Sequence, residues 1–331
     1  MSELPRPLLL DEPQIRSCVD LTPEALGAVE EGFTLLAQGK VLVPSPIGID
    51  LPEQEAEIHV KSAFVRGLPG YAVKIASGFY RNAARGLPST NGLVVVFSSE
   101  TGAPLAILLD NGYLTEIRTA LAGAIAAKHL APARISTVGV VGTGSQARYQ
   151  VRALRLVRDF DRVLVWGRRP EAAAACAADL GEMLGVRAQA TGEVGMLVRA
   201  SDVVITATAS RAPIVRAEDV HDGLLIIAMG SDGVGKQELD PQVFSRAQRV
   251  VCDLKSQCFR LGELQHALAA GTLKELSPIL ELGDLTSGRA RGRADSREIA
   301  VCDLTGVGVQ DTAIALFALE QARHHHVGAS G

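Results

Sequence analysis

A glycine-containing loop that directly follows an apolar run constrains the fold of this chain more than any other segment. Val138–Val141 leads into Gly142–Ala147, the G-x-G-x-x-A form of the turn between the first strand and the first helix of a Rossmann domain. Glycines permit the tight turn and let the backbone approach a pyrophosphate, whose charge meets the helix N-terminus. The alternative is a turn with a purely structural role. The predicted dinucleotide-binding residues are Gly142, Thr143, Gly144, Ser145 and Gln146.

The end of the second predicted strand, Arg162–Trp166, bears on the choice of nucleotide. A carboxylate at this position would bond the ribose 2′-hydroxyl of NAD(H). This chain instead continues with Gly167, Arg168 and Arg169, and guanidinium groups suit the 2′-phosphate of NADP(H). The pattern favours NADP(H), while an exposed arginine pair before a helix leaves NAD(H) open.

Polar segments also follow two later strands of the predicted sheet, Val203–Ala207 and Leu224–Met229. Ligands of open α/β sheets lie beyond the carboxyl ends of the strands. We therefore predict that Thr206, Ala207 and Thr208 lie beside the cofactor. Asp232 places a carboxylate at the same edge, although its spacing equally suits the cap of a helix that begins near Lys236.

The order of predicted helices and strands changes near residue 130. Before it, the helical pattern Thr22–Gln38 is followed by short strand candidates separated by turn signals, which is typical of an α+β domain. After it, strands and helices alternate, and uniformly apolar strands indicate a parallel sheet covered on both faces. We predict an α/β protein with an α+β domain at 1–130, completed by 308–331, and a Rossmann domain at 131–307.

Two cationic side chains of the first domain differ from their neighbours. Strand alternation places Lys74 on one face with Ala72 and Ala76, where it is either functional or simply exposed on a solvated sheet. Arg118 lies in the first turn of a helix over Leu114–Leu130 whose other residues are mostly small. Its guanidinium suits the binding of an anion.

Composition excludes several function classes. The formal net charge is −4 over 331 residues, so we expect no surface for nucleic acid or anionic membrane. The longest apolar runs fall short of the ~18 residues that span a bilayer. Five cysteines without C-x-x-C spacing indicate reduced, buried thiols in a cytoplasmic protein. Three consecutive histidines, His324–His326, cannot converge on one ion, so we expect no metal.

Five motifs spread over nearly the whole chain occur together in one known family. They are Gly86–Gly92, Thr101–Pro104, Leu114–Ala120, Val141–Ala147 and Gly230–Leu239. With these motifs the chain resembles the ornithine cyclodeaminase/mu-crystallin family. In motif order and texture it is most similar to the cyclodeaminase-like proteins linked to ectoine utilisation.

The resemblance implies a homodimer whose first domain forms the substrate pocket and the dimer interface. It implies that Lys74 and Arg118 bind the substrate carboxylate and that Lys74 is also available for proton transfer. Asp232 would act as acid or base at the substrate nitrogen. The cofactor would further contact Thr90, Arg118, Thr119 and Gly230.

The family chemistry passes a hydride between the α-carbon of an amino acid and the nicotinamide, with an imine intermediate. A cyclodeaminase returns the hydride after ammonia leaves, whereas imine and ketimine reductases use only the reductive half. The resemblance thus predicts an NAD(P)-dependent cyclodeaminase-like enzyme that acts at the C–N bond of a small amino acid, with an imine or ketimine reductase as the alternative. Some members are NADPH-dependent ligand-binding proteins, which is the alternative outside catalysis. An amino-acid dehydrogenase is a further possibility.

Two departures from the ornithine enzymes concern the substrate. Those enzymes place a carboxylate-binding arginine before the strands of the first domain, and Ile47–Asp50 contains none. They also carry a glutamate where this chain has Lys61. A cation there disfavours the distal ammonium of ornithine. We therefore expect Lys61 to bind substrate and a dicarboxylic imino acid to fit better.

Overall fold

The computed structural model describes residues 6–273 and 278–330. The chain divides into two compact units. Unit 1 comprises Met1–Arg118 and Val307–Gly331, and unit 2 comprises Thr119–Gly306. The first boundary falls inside a helix, Tyr113–Leu130, and not at the predicted 130/131, because the first turn of that helix groups with the preceding strands.

Over its described residues, unit 1 contains one sheet, four α-helical segments and two short 3₁₀ helices, Pro52–Gln54 and Tyr80–Arg85. Its strands are β1 (Leu8–Asp11), β2 (Val41–Leu42), β3 (Ile47–Leu51), β4 (Ala56–Val65), β5 (Gly70–Phe79), β6 (Thr90–Ser98), β7 (Pro104–Leu109) and β18 (Ala329–Ser330). Its helices are α1 (Glu12–Cys18), α2 (Pro23–Ala37), the start of α3 (Tyr113–Leu130) and α11 (Gly308–His324). The strand order is β18-β1-β7-β6-β5-β4-β2, with β3 also paired to β4.

The two faces of this sheet differ because side chains alternate along each strand. One face is buried, with Ala63, Ala72 and Val96 at 0% exposure, and α11 packs on β4 and β5. Lys74 belongs to this buried face, so the alternative of an exposed sheet lysine is wrong. The opposite face carries exposed apolar side chains: Leu9, Ile47, Ile49, Ile75 and Leu109.

Unit 2 alternates strands and helices, as predicted. Its strands are β8 (Thr137–Val141), β9 (Arg162–Trp166), β10 (Arg187–Ala190), β11 (Val203–Thr206), β12 (Arg211–Val215), β13 (Leu225–Ala228), β14 (Gln237–Leu239), β15 (Arg249–Cys252), β16 (Leu280–Glu281) and β17 (Ala300–Asp303). Its helices after α3 are α4 (Ser145–Leu154), α5 (Pro170–Leu184), α6 (Val194–Arg199), α7 (Gln242–Arg246), α8 (Lys255–Leu261), α9 (Leu264–Ala269) and α10 (Leu282–Thr286).

The main sheet of unit 2 is parallel, with the order β10-β9-β8-β11-β13-β17-β15-β16. The order reverses between β8 and β11, which is the switch point of a Rossmann fold. The predicted Rossmann domain is therefore confirmed. The loops after β8 and β11 lie at the edge of the sheet where such folds bind ligands.

The sequence predicted reduced, buried cysteines and no apolar run long enough to span a bilayer. All five cysteines are free thiols, four of them buried and Cys18 half-buried. Over 6–273 and 278–330, none of the helices has the length and apolar character needed to cross a bilayer.

Candidate active site

The glycine loop of unit 2 has the geometry of a phosphate cradle. Gly142 adopts a φ of 130°, and a Cβ on it would lie 2.5 Å from Ala207 O, so only glycine fits between the two loops. A Cβ on Gly144 would meet no heavy atom within 4 Å, and this exposed residue caps α4 without a side-chain hydrogen bond. The open space at a helix N-terminus fits a pyrophosphate.

Arg148 holds this loop in place. Its Nη1 donates to Thr143 O at 2.8 Å, and its Nε donates to Asp179 Oδ2 at 2.8 Å. Asp179 belongs to α5, so the guanidinium ties the loop to the helix that follows β9. The sequence predicted no role for either residue, because an arginine inside an amphipathic helix carries no signal of its partner.

The arginine pair after β9 is exposed. Arg168 and Arg169 lie at the carboxyl end of the strand, where the sequence placed them. Arg169 Nε lies 4.0 Å from Glu171 Oε1, and both side chains are more than two-thirds exposed. Both guanidiniums are therefore accessible to a ligand, and that of Arg169 lies near the carboxylate of Glu171.

The loop after β11 is held by Glu238, for which the sequence predicted no role. Thr206 and Glu238 are fully buried, and Thr206 Oγ1 donates to Glu238 Oε2 at 2.6 Å. The backbone N–H groups of Thr208 and Gly230 donate to the same carboxylate. Burial raises the pKa of Glu238 to about 7, against the opposing effect of these hydrogen bonds. Glu238 lies inside the family motif Gly230–Leu239, but its position in the sequence does not indicate that three hydrogen-bond donors converge on it.

Asp232 lies in the loop after β13 and pairs with Lys236. The distance between Lys236 Nζ and Asp232 Oδ1 is 2.7 Å, and the aspartate side chain is 40% exposed. The segment near Lys236 continues into strand β14, not a helix, so the alternative of a helix cap is wrong. The carboxylate of Asp232 is thus partly open to solvent and held by a cation.

In unit 1, Lys74 and Arg118 converge on Asp311. Lys74 Nζ donates to Asp311 Oδ1 at 2.9 Å, and Arg118 Nε lies 3.0 Å from the same oxygen. Arg118 Nη1 also donates to Gln310 Oε1 at 2.8 Å. All four side chains are buried. Asp311 and Gln310 begin the last helix, and the sequence gave no reason to place that helix against β5.

Burial and neighbouring charges shift the pKa values of this cluster. Burial, followed by the charge of Arg118, lowers the pKa of Lys74 to about 7, although Asp311 acts in the opposite direction. Burial opposes ionisation of Asp311, but the charges of Lys74, Arg118 and Lys61 outweigh it and lower its pKa. Lys74 can therefore exchange a proton near neutral pH beside an ionised carboxylate.

Lys61 lies directly across from Lys74 in the pairing of β4 with β5. Both lysines are buried, at 8% and 3% exposure. The charge of Lys61 acts on both Lys74 and Asp311. The structure thus brings together Lys61, Lys74 and Arg118, the three residues for which a role in substrate binding was predicted.

The remaining predicted cofactor residues are distributed over both units. Thr119 and Gln146 are linked by the buried Gln150, whose Nε2 donates to Thr119 O and to Gln146 Oε1, each at 2.9 Å. Thr90 begins β6 in unit 1 and is exposed.

Comparison with known proteins gives the family. The family model for the ornithine cyclodeaminase/mu-crystallin family matches residues 8–326. The chain belongs to that family. The uncharacterized cyclodeaminase y4tK of Sinorhizobium fredii, a family relative, is 41% identical over 98% of both chains.

Solved structures of reductases agree closely with this family member. Δ1-pyrroline-2-carboxylate reductase of Thermococcus litoralis, in complex with NADH and L-proline, has a TM-score of 0.93 at 28% identity, covering 98% of this chain and 100% of that one. Iminosuccinate reductase of Paracoccus denitrificans, in complex with NAD+, has a TM-score of 0.89 at 33% identity and 98% coverage of both. The α/β fold with a Rossmann-like NAD-binding domain is thereby confirmed.

Proposed function

We propose that this protein is an NAD(P)H-dependent reductase of a small imino acid that carries a second carboxylate. In this reaction the imine carbon takes a hydride and the nitrogen takes a proton, so that the C=N bond becomes the C–N bond of an amino acid. The proposal is supported by family membership and by the similarity to two imino-acid reductases.

The observation that carries the substrate class is the cation cluster of unit 1. Lys61, Lys74 and Arg118 are buried, and the charges of all three act on Asp311. Guanidinium and ammonium groups are the common binding partners of carboxylates in proteins. A cluster of three such groups therefore favours a substrate that carries carboxylate groups.

Each side chain then has a role that its chemistry allows. Arg118 and Lys74 bind the α-carboxylate, and Lys61 binds the second one. Lys74, with its pKa near 7, is also able to transfer a proton. We assign proton exchange at the substrate nitrogen to Asp232. When bound, the nicotinamide supplies the hydride.

For the cofactor we propose the loops after β8, β9 and β11 as the binding residues, with NADP(H) preferred. Support for the preference comes from the accessible Arg168 and Arg169, with no acid at the end of β9. The carboxylate of Glu171 lies near Arg169 and reduces the preference of this site for NADP(H). Comparison of KM for NADPH and NADH in wild type and in Arg168→Ala tests it. A variant that loses NADPH affinity and keeps NADH affinity supports NADP(H), and equal losses oppose it.

A cyclodeaminase reaction is the second candidate, favoured by the 41% identity to a protein named as a cyclodeaminase. It predicts ammonia release from a diamino acid with a catalytic amount of NAD+. A link to ectoine use belongs to this candidate and is supported only by motif order. Diamino acids therefore enter the same substrate screen.

The test of the catalytic assignment combines that screen with two variants. Lys74→Ala and Asp232→Asn should each lower turnover by roughly 10²- to 10⁴-fold, the range of acid–base catalysis, while cofactor affinity stays similar. Unchanged turnover in both variants would contradict the catalytic assignment, whereas ligand binding without turnover in the wild type would favour the third possibility, a ligand-binding protein.

We also propose that the protein forms a homodimer through the exposed apolar face of the unit 1 sheet. Support comes from Ile47, Ile49 and Ile75, each more than 40% exposed on that face. Light scattering after gel filtration tests the proposal with Ile75→Asp, which adds a charge to the face. The expected result is a dimeric wild type and a monomeric variant, whereas a dimeric variant contradicts it.

A further inference from the structure

We propose that Glu238 is a positioning residue that fixes the loop after β11 and the loop after β13 relative to each other. This inference rests on the proposed function, because those loops carry the residues assigned to the cofactor and Asp232. Glu238 itself is fully buried.

Three donors from two loops meet on this one carboxylate. Oε1 accepts the backbone N–H of Thr208 at 2.6 Å. Oε2 accepts the Thr206 hydroxyl at 2.6 Å and the backbone N–H of Gly230 at 2.9 Å. Thr206 ends β11, Thr208 lies in the loop after it, and Gly230 lies in the loop after β13, two residues before Asp232. A shift of either loop must therefore break a hydrogen bond in a buried site.

Gly230 allows the loops to approach this closely. A Cβ added to Gly230 would collide with Thr208 O and with the carboxyl group of Glu238. Glycine is needed here for the close approach of backbone to backbone. The carboxylate and the glycine together thus define one spacing between the loops.

The backbone at Glu238 is itself anchored by a second buried acid, Glu263. The carboxyl group of Glu263 accepts the backbone N–H of Glu238 at 2.7 Å and that of Leu239 at 3.2 Å. Both acids are at 0% exposure. Two backbone hydrogen bonds therefore anchor the strand segment from which the Glu238 side chain reaches both loops.

An amide cannot replace this carboxylate, which makes Glu238→Gln a sharp probe. The variant keeps size and shape, so a residue that only fills space would tolerate it. One of its two terminal atoms becomes an N–H donor, and it faces either Thr208 N–H or Gly230 N–H. One backbone donor is then left unsatisfied in a buried site.

The first measurement is independent of turnover. Amide hydrogen exchange is followed at pH 8 in the full-length protein, with the peptides around Thr208 and Gly230 compared between wild type and Glu238→Gln. Faster exchange in both peptides, with the rest of unit 2 unchanged, is expected. Unchanged protection in both would overturn the positioning role whether or not a substrate has been found.

The second measurement uses turnover at saturating substrate and cofactor. We expect kcat of Glu238→Gln to fall on the order of 10²-fold, as for a small misplacement of reacting groups. The matched control Thr206→Val removes one of the three donors, and a smaller loss is expected. A lower Tm with unchanged kcat and KM would show that Glu238 has only a structural role. Absence of turnover in wild type would count against the proposed function and leave the exchange result to decide.

Discussion

Lys61 and Lys74 lie directly opposite each other on adjacent antiparallel strands, and both are buried. Like charges in this arrangement destabilise a sheet unless something compensates them. Asp311 pairs with Lys74, and the charges of both lysines lower its pKa. This pair sets both the charge and the proton chemistry of the site.

Removal of the Lys61 charge should raise the pKa of Lys74. The charge of Lys61 is one of the causes that hold that pKa near 7, so Lys61→Met removes a repulsion. The pH profile of kcat/KM should show its Lys74-dependent inflection at higher pH in the variant. Coincident profiles would mean that Lys61 does not act on Lys74.

Reversal of the same charge should change substrate preference. Lys61→Glu places a carboxylate where we propose the second substrate carboxylate binds. We expect kcat/KM for a dicarboxylic imino acid to fall at least about 30-fold more than for a monocarboxylic one, which corresponds to about 2 kcal/mol for loss of a buried charge pair. Equal losses for both substrates would place the second carboxylate elsewhere.

Loss of the Asp311 charge should destabilise the protein. Asp311→Asn leaves Lys74 and Arg118 without their buried counterion, at a cost of about 3 kcal/mol. This is the low end for such a change, because Lys74 can lose its proton. The control Glu55→Gln breaks the exposed Arg81–Glu55 pair and should cost less than about 1 kcal/mol. Urea denaturation measures both, and similar losses would refute the expected difference.

Glu263 should make unfolding depend on pH. Burial, followed by the charge of Asp303, raises its pKa from 4.5 to about 9. The folded chain therefore holds this proton where the unfolded chain has lost it, so its contribution to stability falls as pH rises from about 4.5 to about 9. In Glu263→Gln the free energy of unfolding should fall less over that window. Parallel curves for variant and wild type would contradict the assignment.

The fold was largely predictable from the sequence, because local patterns determine it. The strand and glycine loop at Thr137–Gly144 carry their geometry in their own residues, and they were found where predicted. Short or edge elements were missed. β1 and β14 are held by pairing with strands that lie far away in the sequence, and β3 is a short edge strand paired with β4.

The site was predictable only in part. Lys74, Arg118 and Lys61 were found from alternation and from the family motifs. Their counterion was not, because Asp311 lies 237 residues after Lys74 in the sequence. The role of Glu238 was likewise not predicted, because the three hydrogen bonds to its carboxylate arise from tertiary structure alone.

The most direct test of the reductase proposal is the stoichiometry of one reaction. The protein is mixed with NADH or NADPH, oxaloacetate and ammonium, which together generate iminosuccinate, and both cofactor oxidation and aspartate formation are measured. The account predicts one aspartate for each nicotinamide oxidised, with loss of both signals in Lys74→Ala. It would be contradicted by no oxidation with any dicarboxylic imino acid, together with ammonia release from a diamino acid at catalytic NAD+.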